Sequence, residues 1–358
     1  MQAQKVNYGL KQSSRQWYLR FHQAVVSYGF QMVEEDHCVY IKRDKDKYVL
    51  VIKKWLSSNF EMKDIGEAAY ILGVKITRDR SKRLLALSQE TYIKKVLERF
   101  NMVDCKPMDT PISKGQNLSL DMCPKTPQEL DSMKNVPYSS AIGSLMYAML
   151  CTRPDICYAI GFVSRYQSNP GRKHWIAVKR ILAYLKGTAD YSLCYQGGDL
   201  HLIGYTDADW GCDLDERKST SGYAFLLSKG AISWSSKKQT CIALSTMEAE
   251  FVACSTAVQE AVWLKRFLED LDVSKDMGKP VTVYCDSQAA IAYTKDAKYH
   301  SKSKHIETKY NFVRDIVSKK EVMIQYISTH EMVADPLTKA VTRDVFESHA
   351  KSLGLRKL

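Results

Sequence analysis

The sequence predicts an α/β protein of the α+β kind, and three observations carry that prediction. Residues 199–340 read as apolar strand segments, then one long helix, then strands and helices in alternation. Three apolar helix patterns lie ahead of them, in YSSAIGSLMYAMLCT, RPDICYAIGFVSRYQSNP and RKHWIAVKRILAYLKG. The N-terminal third mixes short helix and strand patterns. The sheet therefore begins antiparallel and continues as α/β.

Taken in order, Trp17, Phe21, Val25 and Tyr28 have helical spacing, and Gly29 ends that helix. CVYIKRDKDKYVLVI predicts a hairpin: apolar CVYI, a charged turn, and YVLVI. KKWLSSNFEMKDIG predicts a helix ending at Gly66. AAYILGVKITRDRSKRLLALSQ predicts two strands joined by a basic turn. TYIKKVLERFNM is helical, with Tyr92, Val96 and Phe100 on one face. Residues 105–137 hold five of the nine prolines and predict a linker wrapping a surface. Pro154 suits the first turn of the second apolar helix. Trp175, Val178, Ile181 and Leu185 line one face of the third, which Gly187 stops; Lys173, Lys179, Arg180 and Lys186 charge the remainder. Beyond it the pattern predicts strands over 201–206, 221–228, 231–235 and 239–244, with a Lys229–Gly230 turn. A helix over 246–271, a strand over 281–285, helices within 287–318 and a strand over 322–327 follow. The domains expected are 1–105, 106–198, 199–340 and a tail, 341–358.

Apolar residues make up 45% of the chain and charged ones 26%, ordinary for a soluble globular protein. No apolar run reaches the ~18 residues of a membrane span. MQAQKVNYGLKQSSRQWY has no apolar core, so an intracellular protein, cytoplasmic or nuclear and not secreted, is expected. Lys+Arg 52 against Asp+Glu 40 gives +12, a balance that suits a polyanionic partner such as nucleic acid. The ten cysteines include no CxxC pair, which argues against a zinc ribbon. The sequence leaves the oligomeric state open.

Four acidic residues stand where a carboxylate can be aimed. Asp207 closes the run HLIGYTDAD, and Asp286 closes VTVYCDSQ. Glu250 lies in the first turns of the long helix, and Asp335 follows VMIQYIS in THEMVADPLTK. Such carboxylates repel one another unless a divalent cation sits among them. Mg²⁺, or Mn²⁺ in its place, suits hard oxygen ligands, and two ions about 3.5–4 Å apart clamp an in-line phosphodiester displacement. Ser245 and Glu248 form a capping box, which assigns Glu248 to structure and leaves Glu250 for chemistry. Asp209 is the rival of Asp207 on the same face of its strand. Helix caps are the plain alternative for Asp286 and Asp335. His330, five residues before Asp335, is a candidate proton shuttle, against the plain reading of a solvated loop histidine. His300 and His305 lie among Lys298, Lys302 and Lys304, a basic arm suited to phosphates.

YTDADWGCDLDERKSTSGYAFLL, ISWSSKKQTCIALSTMEAEFVA, VYCDSQAAIA, SKSKHIETKYNFVRD and THEMVADPLTKA resemble the ribonuclease H domain of copia-type LTR retrotransposon polyproteins, plant members above all. YGLKQSSRQWY, SYGF, FEMKDIGEAAYILGVKI, LSQETYIKKVLERF, PYSSAIGSLMY, TRPDICYAI and HWIAVKRILAYLKGT resemble the reverse transcriptase segment and connection of the same family. The resemblance implies a mixed five-stranded sheet with helices, preceded by a partial palm. It implies that Asp207, Glu250, Asp286 and Asp335 hold two Mg²⁺ ions and cleave the RNA strand of an RNA–DNA hybrid. Glu250 matches the family's Glu-x-x-Ala, through Ala253. His330 lies closer to the last Asp than the loop histidine of related enzymes. Lys179, Arg180, Lys298, Lys302 and Lys304 would contact nucleic acid.

In the family a Tyr-Val-Asp-Asp hairpin follows the strand that ends here near Ile52, whereas this chain passes from KYVLVI to KKWLSSNF. The first palm carboxylate, normally upstream of YGLKQSS, is also missing. No DNA synthesis is expected. The alternative to a retained nuclease is a catalytically dead relic that only binds nucleic acid.

Overall fold

The computed structural model describes residues 12–42, 48–198, 200–271, 278–295 and 304–358, and of 48–52, 304–308 and 310 the backbone alone. Two compact units result, one within residues 1–68 and 266–273, the other within 69–265 and 274–358.

In the first unit, helix α1 (Ser13–Ser27) ends where Gly29 takes φ +92°. Strands β1 (Gln31–Met32) and β2 (Tyr40–Ile41) pair antiparallel, and α2 spans Tyr48–Asn59. Aromatic rings hold these elements together: Trp55 stacks on Tyr28 at 4.4 Å, and Trp17 meets Phe60 edge-on at 5.4 Å. The hairpin expected over CVYI and YVLVI is corrected here. Residues 48–52 begin α2, and β2 pairs instead with β1. A two-residue β2 offers YVLVI little to pair with, whereas a helix satisfies the backbone groups of 48–52 within their own segment.

The second unit holds two five-stranded sheets. The first has the order β11 (Val322–Tyr326), β10 (Val281–Cys285), β7 (Ile203–Asp209), β8 (Thr220–Leu227), β9 (Gly230–Lys238). Strand β10 runs parallel to both neighbours, and β7, β8 and β9 are antiparallel, so the sheet is mixed, as expected. The second sheet has the order β12 (Leu355–Lys357), β6 (Tyr191–Gln196), β5 (Leu84–Ser88), β4 (Val74–Asp79), β3 (Tyr70–Ile71). It draws its strands from three stretches far apart in the chain.

The strand expected over 239–244 is not formed, which corrects that reading. Strand β9 runs unbroken to Lys238, Gln239 N–H turns to Ser219 O, and Ile242 and Leu244 are exposed. Helix α8 (Thr246–Asp270) starts directly afterwards. It lays Phe251, Cys254, Val258 and Ala261 against Phe225, Val283 and Ile324, an i, i+3, i+7 stripe on the sheet. Helices α9 (Gln288–Lys295) and α10 (Lys304–Ser318) follow β10, and α11 (Arg343–Ser352) precedes β12.

The helical block comprises α3 (Glu90–Arg99), α4 (Pro127–Lys134), α5 (Tyr138–Cys151), α6 (Cys157–Ser164) and α7 (Arg172–Gly187). Ile142, Leu145, Ile160, Val178, Ile181 and Leu185 form its core. The proline-rich stretch is more than a surface wrap: Ile112 and Leu118 are buried in that core, and α4 is opened by a Thr126–Glu129 capping box. Trp234 on β9 donates its indole N–H to Met149 O at 3.2 Å, so the block is bonded to the mixed sheet. No described helix is long and apolar enough to cross a membrane.

Candidate metal centre

Asp207 sits near the end of β7 and Asp286 directly after β10, its parallel neighbour. Parallel strands bring their C-terminal ends to one edge, so the two carboxylates share it. Glu250 lies in the second turn of α8. Ser245 caps that helix: Glu248 N–H donates to Ser245 Oγ, and the Glu248 carboxylate accepts Leu244 N–H, one residue earlier than a standard box would place it. Glu248 is therefore engaged in the cap, while Glu250 is buried and turned inward. Asp335 is held in a short 3₁₀ turn, Asp335–Leu337.

These four residues converge as two overlapping groups. Ligand atoms of Asp207, Asp286 and Asp335 lie within 4.8 Å of one another, as do those of Glu250, Cys285 and Asp286. Asp286 belongs to both. Asp209 and His330 belong to neither; His330 is exposed on the 3₁₀ turn Thr329–Glu331.

The chain fixes the acids with its own donors. Thr338 Oγ1 donates to Asp207 Oδ2, and Thr329 Oγ1 donates to Asp286 Oδ2 at 2.8 Å. Lys339 Nζ lies 3.0 Å from Asp335 Oδ1 and 3.5 Å from Asp207 Oδ2. A glycine makes room for this turn. Gly222 faces Asp207 across the β7–β8 ladder, and a Cβ there would come within 2.8 Å of Thr338 Cγ2 and 2.9 Å of Leu337 Cβ.

Burial dominates the electrostatics. It raises the Asp207 carboxyl to about 6, Lys339 pulling the other way and Asp335 adding to the rise. Glu250 is pushed up to about 10, first by burial, then by Asp207, Cys285 and Asp286. Asp335 and Asp209 are also raised, chiefly by burial. Glu250 Oε2 is buried with no hydrogen-bond donor. An orphaned acceptor beside further carboxylates is a vacancy in bonding that a divalent cation satisfies, so these residues fit such an ion.

The predicted phosphate contacts are placed unevenly. Lys179 is exposed on α7. Arg180 is half-buried and donates to Thr110 Oγ1 at 3.0 Å, pinning the proline-rich stretch. Lys298 and Lys302 lie outside the described residues, and Lys304 is described by its backbone alone, at the start of α10. Thr329, Thr338, Lys339 and Cys285 were not singled out from the sequence. Lys339 had a signal, its i+4 spacing from Asp335. Thr338 had none, since it meets an acid 131 residues away.

A family model described as reverse transcriptase (RNA-dependent DNA polymerase) matches residues 45–114. The retrovirus-related Pol polyprotein from transposon TNT 1-94 of Nicotiana tabacum is 48% identical over 368 residues, covering 97% of this chain and 28% of the relative. The putative transposon Ty5-1 protein of Saccharomyces cerevisiae is 30% identical over 275 residues, covering 71% of this chain and 87% of that protein. The chain thus spans about a quarter of the length of the plant Pol polyproteins it matches. Among solved structures, LC11-RNase H1, isolated from compost, is 18% identical with a TM-score of 0.30, covering 42% of this chain and 97% of that one.

Proposed function

This chain belongs to the copia-type retrotransposon Pol polyproteins, and from that premise we propose that residues 199–340 are a Mg²⁺-dependent ribonuclease H acting on the RNA strand of RNA–DNA hybrids. The observation that carries this reading is the pair of overlapping carboxylate groups joined at Asp286, with Glu250 Oε2 left without a donor. Asp207 and Asp286 would hold the ions, with Glu250 and Asp335 completing the set. Bound there, paired divalent ions supply Lewis-acid polarisation of the scissile phosphate and an activated water. The protein's own part is orientation. Thr338 and Thr329 fix the rotamers of Asp207 and Asp286, and the Ser245 cap fixes the helix that carries Glu250. Hybrid choice would rest on A-form shape and 2′-hydroxyls rather than base sequence. Exposed Lys179 would add phosphate attraction that weakens with salt.

The reading is tested with a fluorescent RNA–DNA hybrid, Mg²⁺ and the Asp286→Asn variant in parallel. Wild type should cleave, EDTA should stop it, and the variant should be slower by at least about a hundredfold, since even outer-shell partners of metal ligands are typically worth 10–100-fold. Equal rates in both proteins would leave only a binding relic.

Residues 1–105 are proposed to be inactive in DNA synthesis. The chain passes from Ile52 directly to Lys53 with no Tyr-Val-Asp-Asp hairpin between, and residues 48–59 form one helix. Purified protein should give no primer extension on a primed RNA template; any extension product refutes this.

A further inference from the structure

We propose that Lys339 is a tethered counter-cation of the Asp207–Asp286–Asp335 group, seated on those carboxylates when no divalent ion is bound and competing with such an ion for them. The inference rests on the divalent-cation reading of the same acids.

The backbone sets it up. Asp335 O accepts the N–H groups of both Thr338 and Lys339, at 3.1 and 3.2 Å. That is one helical turn, and it returns the Lys339 side chain over the Asp335 carboxylate. Its ammonium then stands 3.0 Å from Asp335 Oδ1 and 3.5 Å from Asp207 Oδ2. The contact is a salt bridge made by a rotatable ammonium on a half-exposed side chain, the kind of ion pair that water or another cation readily replaces.

Burial gives the exchange a direction. The Asp207 side chain is 1% exposed and that of Asp335 8%, whereas Lys339 is 34% exposed. Lys339 is therefore the more exposed partner of both buried acids. A flexible four-carbon stem lets it withdraw into water while the backbone stays in place. A small divalent ion needs oxygens at about 2.0–2.6 Å, and so draws on the same negative charge at closer range. Metal binding is then an exchange of one tethered positive charge for a mobile double one.

The test uses metal alone, without nucleic acid. Wild type, K339M, K339Q and K339R are titrated with Mn²⁺ by calorimetry and melted in EDTA and in Mn²⁺. K339M and K339Q should bind Mn²⁺ about fivefold tighter or more, as expected when a competing unit charge leaves a site. Both should melt below wild type in EDTA and gain more from Mn²⁺, while K339R should keep wild-type melting in EDTA. Glutamine keeps polar donors without the charge, so the contrast survives even where methionine weakens the fold. Unchanged or weaker Mn²⁺ affinity in the folded charge-loss variants overturns the role of Lys339 and leaves the metal reading standing. No Mn²⁺ binding by wild type overturns the metal reading itself.

Discussion

Glu250→Gln should give a protein that melts higher than wild type in the absence of metal, yet cleaves hybrid at least about a hundredfold more slowly in its presence. The opposite signs come from one cause. Burial among Asp207, Cys285 and Asp286 pushes the Glu250 carboxyl up to about 10, from an ordinary value of 4.5. Between those limits the folded, metal-free chain holds a proton that the unfolded chain has released. Folding then takes up a proton, so the stability contributed by Glu250 falls as pH rises through that window. Glutamine has nearly the same shape, carries no charge, and its amide can donate to the oxygens around it. At pH about 8–9 the variant should gain on the order of a few kcal/mol, since each pH unit above the unfolded value costs wild type up to about 1.4 kcal/mol. Near pH 4.5 the difference should vanish. Melting curves in EDTA across that range measure it, and a gap that does not change with pH would mean Glu250 is not held as described. On the proposed reading the loss of cleavage follows because the residue that destabilises the metal-free fold is one whose negative charge the ions would need.

Much of the mixed sheet was legible because its strands carry their own punctuation. VTVYC stops at Asp286, and the Lys229–Gly230 turn separates β8 from β9. Besides the helix expected to reach Gly66, which stops at Asn59, two misread segments share a physical origin. YVLVI and QTCIAL both have β-forming composition, and composition cannot say whether a partner strand exists. Residues 48–52 joined the helix that follows them. Residues 239–244 became the approach to the Ser245 cap, leaving Leu244 exposed and its N–H bound by Glu248. The second sheet was not legible as a unit, because β5 pairs with β6 across a hundred-odd residues and β6 pairs with β12 across a still longer span. No local pattern encodes such partners.

The candidate site divides the same way. Carboxylates at strand ends and on the first turns of a helix have positional signatures, so all four that converge were named from the sequence. Choosing Glu250 over Glu248 needed only the spacing from Ser245. Choosing Asp207 over Asp209, which alternation puts on the same face, rested on its place nearer the expected strand end, and of the two Asp207 is the one grouped with Asp286 and Asp335. What holds the acids was hidden. The Thr338 hydroxyl reaches Asp207 only because Gly222 lets the last turn lie against β8, a three-part fit drawn from distant segments.

Arg153→Met should destabilise the second unit by about 3–5 kcal/mol, the usual cost of leaving one member of a buried ion pair uncompensated. Arg153 and Asp155 side chains are both wholly buried. Arg153 grips Asp155 through two bonds, at 3.0 and 2.7 Å, and donates to Thr188 O and Oγ1. Tyr184 O–H also donates to Asp155 Oδ2. Methionine fills the volume but strands the carboxylate. Adding Asp155→Asn should therefore recover part of the loss, which a simple packing defect would not allow. Urea unfolding checks both variants; a single-variant loss under about 1 kcal/mol sinks the argument. The network also reaches the proposed chemistry. Arg153 lies between α5 and α6, and these helices brace β9 through Met149 and through Gly161, where a Cβ would come within 3.4 Å of Ser236 O. If that brace holds the carboxylate-bearing sheet, Arg153→Met should leave hybrid cleavage at low temperature near wild type. It should also lower, in step with melting, the temperature at which cleavage collapses. A variant that loses cleavage while still folded would instead show that the helical block shapes the site directly.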